Sequence, residues 1–92
     1  MWTICETSPA RKEIRRCPHE ILLKYEAWKS IVRLSGPAAL RALPGLHDES
    51  LRGQWRGFRS SRLGLQWRVI YKVENESVTV TVVRVTPHDY RR

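Results

Sequence analysis

The hydrophobic period of this sequence changes near its middle, and that change restricts the folds available to the chain. In the first half, apolar residues recur at the three- and four-residue spacing of an amphipathic helix, namely at Ile21, Tyr25, Trp28 and Val32. This pattern predicts a helix that begins at Pro18 and ends before Gly36-Pro37. A shorter basic helix is predicted over residues 9–16, because Ser8 can cap its first turn and Pro9 suits that turn.

After Pro44-Gly45 the period becomes two, which is the period of a strand with one buried face. We expect strands over residues 54–62, 67–73 and 77–85, in addition to a short strand over residues 1–6. The polar residues 74–76 predict a turn between the last two strands. This order of elements predicts an α+β fold in which a short N-terminal strand and two to three helices pack on one face of an antiparallel β-meander. The opposite face of the sheet is then available for a ligand.

The charge of the chain predicts a polyanionic partner. Its 92 residues, which we expect to form one domain over residues 1–92, carry 17 lysines and arginines against 9 acidic residues. The alternative is a basic domain that binds no nucleic acid. No apolar run approaches the roughly 20 residues that a membrane-spanning helix needs, so no membrane partner is expected. The start of the chain does not look like a signal peptide, which predicts a cytoplasmic protein with reduced Cys5 and Cys17.

Several residues have the chemistry needed to cut RNA without a metal ion. That reaction needs a base for the ribose 2′-hydroxyl, a cation for the transition-state phosphate and an acid for the departing 5′-oxygen. The chain offers Glu49 before the predicted sheet, arginines on the strands, and His88 and Tyr90 near the end. Its three histidines and two cysteines lack the spacing of metal ligands, so neither a metal nor another cofactor is expected.

Two motifs in the second half resemble the RelE/ParE superfamily of toxins from type II toxin–antitoxin systems. Residues 51–63 read LRGQWRGFRSSRL and are followed by WRVIY at residues 67–71. The ending His88-Asp89-Tyr90 is similar to the tails of the RelE, YoeB and HigB types, which are ribosome-dependent mRNA endoribonucleases. The resemblance covers residues 49–90 well, whereas the first half agrees only in being helical. It implies an mRNA interferase that enters the ribosomal A site against the 16S rRNA, cuts the mRNA there and is neutralised by a cognate antitoxin.

The resemblance also implies roles for individual residues. Arg68 matches the arginine that supports the transition-state phosphate, and Glu49 lies where the YoeB type carries its general base. His88 matches the general acid, and Tyr90 matches the tyrosine that orients the substrate or leaving group. The tail is about three residues longer than that of YoeB, and the HigB type ends in Asp-Tyr, so Asp89 remains an alternative acid. Five further cations are expected to bind RNA phosphates, namely Arg56, Arg59, Arg62, Lys72 and Arg84.

Other interpretations of the same residues remain open at this stage. Arg68 can be an exposed strand cation, and Glu49 can be a loop residue whose charge pairs with that of Arg52. A ParE-like toxin that inhibits DNA gyrase by binding is the alternative function, although that branch generally lacks the His/Tyr tail. A plain RNA-binding module on a basic sheet face is a third possibility.

Overall fold

The computed structural model describes residues 1–88, which form a five-stranded sheet and two α-helices. Strand β1 spans Thr3–Glu6, helix α1 spans Ser8–Arg16 and helix α2 spans His19–Ser35. The remaining strands are β2 (Glu49–Ser50), β3 (Arg59–Arg62), β4 (Arg68–Glu74) and β5 (Thr79–Thr86), and short 3₁₀ turns connect α2 to β2 and β2 to β3. The predicted α+β order of helices followed by strands is therefore confirmed.

The strands lie in the order β1-β5-β4-β3-β2. Strands β3, β4 and β5 form the expected antiparallel meander. Strand β1 extends the sheet by pairing parallel to β5, so the sheet is mixed. Strand β2 pairs antiparallel with β3 at the opposite edge, and its two residues were not among the predicted strands.

Helix α2 covers one face of the sheet with the stripe that the sequence predicts. All four predicted positions of that stripe are buried, at Ile21, Tyr25, Trp28 and Val32. The rings of Trp28 and Tyr71 meet edge to face with centroids 5.2 Å apart, which joins α2 to β4. Burying each large side chain of this kind contributes about 1.5–3 kcal/mol, so this stripe holds the helix on the sheet.

Helix α1 lies beside β5, beyond the point where β1 ends. Its N-terminal cap is Thr7, whose Oγ1 accepts a hydrogen bond from the Ala10 backbone N–H at 3.3 Å. The prediction of Ser8 as the cap was thus wrong by one residue, because Thr7 adopts the extended backbone that a cap requires. Glu13 accepts a hydrogen bond from the Val85 backbone N–H at 2.9 Å. A side chain of α1 therefore satisfies a β5 donor that β1 does not reach.

The region before β3 differs from the sequence prediction. Residues 54–58 were expected to be strand, but Gly53–Trp55 forms a 3₁₀ turn and β3 begins only at Arg59. The cause is the backbone at Gly53 and Gly57, where φ is 66° and 94°. These left-handed conformations suit glycine and interrupt an extended chain. Among residues 1–88, no helix has the length and apolar character to cross a bilayer.

Candidate active site

The sheet face opposite α2, here called the open face, carries the predicted base. Glu49 pairs with Ser60, Ser60 with Ile70, and Ile70 with Arg84, so these four residues form one row across β2 to β5. Side chains directly opposite each other in paired strands lie on the same face. Ser61, next to Ser60, bonds to Trp28 of α2, which places Ser60 and its row on the open face. Glu49 is half-buried there.

The predicted transition-state cation lies in the next row of the open face. Arg68 pairs with Arg62 on one side and with Thr86 on the other. Its neighbour Val69 belongs to the core under α2, so Arg68 lies on the opposite face. Arg68 is only 5% exposed. Two strand spacings and one two-residue step separate the Glu49 and Arg68 backbones by about 12 Å, and Arg62 lies between them.

The described part of the tail extends toward this second row. His88 is exposed, and its backbone N–H donates to Thr86 Oγ1 at 3.2 Å. Because Thr86 is the register partner of Arg68, His88 begins the tail at the same end of the sheet. The predicted Tyr90 and the alternative acid Asp89 lie outside the described residues.

The five predicted phosphate-binding cations occupy different environments. Lys72 is exposed on the open face and Arg62 is half-buried there, whereas Arg56 is exposed in the loop before β3. Arg84 belongs to the Glu49 row, but its Nη2 and Nε bond to Glu13 at 2.7 and 3.1 Å. Arg59 lies on the α2 side of the sheet, where its Nε bonds to Asp48. The structure therefore brings Arg62, Lys72 and Arg84 together with Glu49 and Arg68, and it separates Arg59 from them.

Asp48 is the centre of a buried polar cluster on the α2 side of the sheet, directly behind Glu49. Its carboxylate has no exposed surface. It accepts hydrogen bonds from Arg59 Nε at 2.8 Å, from Ser61 Oγ at 2.6 Å and from the Tyr71 hydroxyl. Burial and the bond to Asp48 both raise the pKa of Tyr71, so Tyr71 keeps its proton and remains a donor.

Asp48 was missed by the sequence analysis, although one signal pointed to it. Arg59, Ser61 and Tyr71 fall on one face of the predicted strands, and all three are donors on a face that is otherwise apolar. Buried donors of this kind need an acceptor. Among residues 1–88, no group of three or more histidine, cysteine or acidic side chains lies close enough together to hold a metal ion.

The sequence of the chain matches the model of a known protein family. Residues 7–90 match the model of the family described as the ParE toxin of the type II toxin–antitoxin system parDE. No curated protein is significantly similar to the chain in sequence.

Solved structures share the fold. The RelBE2 toxin–antitoxin complex from Mycobacterium tuberculosis contains a chain that is 26% identical, with a TM-score of 0.63 over 92% of this chain and 88% of that one. YafQ from E. coli is 17% identical, with a TM-score of 0.74 over 92% of this chain and 91% of that one. The YoeB/ParE toxin from Agrobacterium tumefaciens is 16% identical, with a TM-score of 0.76 over 95% and 99% of the two chains.

Proposed function

This chain belongs to the ParE toxin family within the RelE/ParE superfamily and is the toxin of a type II toxin–antitoxin module, and from that premise we propose that it is an endoribonuclease that cuts mRNA in the ribosomal A site. One observation carries the proposal. Glu49 and Arg68 lie on the same open face, with Arg62 between them and His88 at the adjoining strand end. A base, a cation and an acid thus lie on one face of the sheet, as the proposed reaction requires.

The reaction follows from the roles of these side chains. Glu49 takes the proton of a ribose 2′-hydroxyl, and the 2′-oxygen attacks the neighbouring phosphorus. Arg68 stabilises the extra negative charge on the five-coordinate phosphorus. The bond from phosphorus to the 5′-oxygen then breaks as that oxygen receives a proton from His88, with Asp89 or Tyr90 as the alternative donor and Tyr90 as the orienting group. The products are a 2′,3′-cyclic phosphate and a 5′-hydroxyl, and no step requires a metal ion.

Two buried donors on the open face favour an anionic ligand. Ser60 Oγ and Arg62 Nε are inaccessible to solvent and have no hydrogen-bond partner among the described residues. Buried donors are nearly always satisfied in folded proteins, and phosphate oxygens are strong acceptors for arginine. Ser60 lies beside Glu49 and Arg62 lies beside Arg68 in the register. Both donors therefore lie beneath the proposed site, and a phosphate reaches them only when the groups that cover them move aside.

Inhibition of DNA gyrase by binding is the second candidate function. The family model that matches residues 7–90 carries the ParE name, which favours this alternative. A gyrase inhibitor requires no base or acid, so substitution of Glu49 would leave its toxicity intact. The two functions thus differ in whether they need catalytic residues on the open face.

We also propose that a cognate antitoxin neutralises this toxin, as in the toxin–antitoxin complex solved for RelBE2. An apolar groove of about 460 Å³ between α2 and the β3–β4 turn is the expected docking surface for it. Apolar side chains form most of its walls, and the cation Lys24 of α2 also lines it. Leu65 in that turn is 93% exposed. This combination fits an acidic amphipathic segment, which is the charge expected of a partner for a chain of net charge +8.

Cleavage of a labelled mRNA on programmed ribosomes tests the enzymatic proposal. We expect wild-type protein to yield fragments with 2′,3′-cyclic phosphate ends. Glu49→Gln and Arg68→Ala should each lower kcat by about 10²–10³-fold, the cost of losing one catalytic group in comparable sites. Arg33→Ala is the matched control, because Arg33 is an exposed arginine on α2, on the other side of the sheet.

Several outcomes would contradict the proposal. Intact mRNA together with inhibited gyrase would establish the second candidate in place of the first. Wild-type cleavage by both Glu49→Gln and Arg68→Ala would show that RNA is cut by other residues. Because Arg68 is buried, Arg68→Lys serves as a second variant that keeps the charge but loses the planar fork of donors.

A further inference from the structure

Strand β2 is held in place mainly by side chains rather than by its own length. It contains only Glu49 and Ser50, which pair with Ser60 and Arg59. A two-residue ladder at the edge of a sheet supplies few backbone hydrogen bonds, so such an edge is prone to opening. The position of Glu49 therefore depends on the residues that surround β2.

Asp48 provides side-chain contacts that fix the position of β2. Its Oδ1 accepts from Arg59 Nε at 2.8 Å, and its Oδ2 accepts from Ser61 Oγ at 2.6 Å and from the Tyr71 hydroxyl. Two of these donors belong to β3, the neighbour of β2, and the third belongs to β4, the central strand of the sheet. Both oxygens of one carboxylate are thus fixed against two strands, and a buried carboxylate with this many donors has little freedom to move.

Further contacts make the cluster rigid. Trp28 Nε1 of α2 donates to Ser61 Oγ at 3.0 Å, which ties the cluster to the helix. Arg59 Nη1 donates to Ser50 Oγ at 2.7 Å, so the same guanidinium holds the residue on each side of Glu49. Adjacent residues in an extended chain point to opposite faces of the sheet. Anchoring Asp48 and Ser50 on the α2 side therefore holds Glu49 toward the open face.

We propose that Asp48 is a positioning residue for Glu49. The proposal rests on the function argued above, since it takes Glu49 to be the general base. Asp48 does not touch the substrate; it fixes the height and direction of the Glu49 carboxylate at the 2′-hydroxyl. Loss of a donor from the cluster lets β2 shift, and the base then spends less time in reach of its proton.

A matched pair of tyrosines tests this role. Tyr71→Phe removes one donor to Asp48, whereas Tyr25→Phe removes the hydroxyl that bonds to Glu6 Oε2 at 2.6 Å on the same side of the sheet. Both tyrosines are buried beside Trp28. On programmed ribosomes we expect Tyr71→Phe to lower kcat at least tenfold with KM unchanged, and Asp48→Asn to lower it further. Tyr25→Phe should leave kcat unchanged. Equal kcat values for Tyr71→Phe and Tyr25→Phe would overturn the proposal.

Hydrogen exchange provides a readout that does not depend on cleavage. The Leu51 backbone N–H, directly after β2, donates to Phe58 O at 2.9 Å. Its exchange rate should rise at least tenfold in Tyr71→Phe and Asp48→Asn relative to the amides of β4, and should be unchanged in Tyr25→Phe. Unchanged exchange in both cluster variants would overturn the positioning role even if cleavage fell. Wild-type cleavage by Glu49→Gln, together with faster exchange in the cluster variants, would instead refute the catalytic role of Glu49.

Discussion

Ser60 and Ser61 are neighbours in β3 and are both buried, but their hydroxyls lie on opposite faces of the sheet. Ser61 Oγ accepts from Trp28 Nε1 and donates to Asp48. Ser61→Ala should therefore lower the free energy of unfolding by about 1–3 kcal/mol, because Trp28 Nε1 loses its acceptor and Asp48 loses one of its three donors. Ser60 Oγ has no partner among the described residues, so Ser60→Ala should change that free energy by less than about 0.5 kcal/mol.

Urea unfolding of the two alanine variants measures this difference. Ser60→Ala should also bind a single-stranded RNA more weakly than wild type, if a bound phosphate displaces the groups that cover the Ser60 hydroxyl and accepts its hydrogen bond. A large loss of stability in Ser60→Ala would mean that its hydroxyl serves the fold, and would remove it from the proposed phosphate site.

Tyr25 makes the free energy of unfolding depend on pH in the alkaline range. Burial and the hydrogen bond to Glu6 raise its pKa in the folded protein above the ordinary value of about 10. Above that ordinary value the unfolded chain releases the phenolic proton while the folded chain keeps it, so the free energy of unfolding falls as pH rises. Urea titrations between about pH 9 and 11.5 should show a shallower fall for Tyr25→Phe. Equal slopes for variant and wild type would show that Tyr25 does not contribute this dependence.

At the scale of elements, the hydrophobic period of the sequence located the helix and the strands that pack in the core. The stripe of α2 was located from the sequence, and so was the face of β4 that carries Val69 and Tyr71 into the core. The alternation in β4 did not predict that Arg68 and Ile70 are buried on the other face as well. Strand β2 could not be located in this way, because a two-residue strand has no measurable period. The parallel pairing of β1 with β5 could not be predicted from the sequence either, because the hydrophobic period does not show the direction or the partner of a strand. Residues 54–58 were wrongly predicted to be strand, because Gly53 and Gly57 adopt left-handed conformations that interrupt an extended chain.

The groove between α2 and the β3–β4 turn gives a prediction for antitoxin binding. Leu65→Asp places a negative charge at the groove, where the proposed acidic partner would be repelled. We expect its affinity for its cognate antitoxin to fall at least tenfold, as measured by calorimetry. Leu34→Asp is the matched control, because Leu34 is 76% exposed at the end of α2 and does not line the groove. Equal losses in the two variants would place the antitoxin elsewhere.

At the scale of the whole molecule, the sequence predicted a set of catalytic and phosphate-binding residues but not how they are held. Glu49 and Arg68 were predicted to be catalytic and Arg62 to bind phosphate, and the register places all three on one face of the sheet. Arg59 has the same chemistry and was grouped with them, yet its guanidinium bonds to Asp48 behind the sheet. Arg59 and Arg62 are three residues apart in β3, so their side chains lie on opposite faces of the sheet, and the sequence prediction did not separate them.

The distribution of charge over the molecule sets the salt dependence of RNA binding. Each phosphate contact to single-stranded nucleic acid contributes about −0.7 to the slope of log K against log salt. The open face carries Arg62, Arg68 and Lys72, and the loop before β3 carries Arg56, so a slope of about −3 is expected if all four bind phosphates. Fluorescence titration with an RNA that carries a 2′-deoxy sugar at the cleavage site measures this slope without cleavage.

Single substitutions then distinguish the open face from the general charge of +8. Lys72→Ala should make the slope shallower by about 0.7, because one phosphate contact is lost. Arg33→Ala removes the same charge from the α2 side and should leave the slope unchanged, since Arg33 lies on the side away from the proposed RNA path. If both variants change the slope equally, RNA is attracted by the net charge alone, and the open face has no special part in binding it.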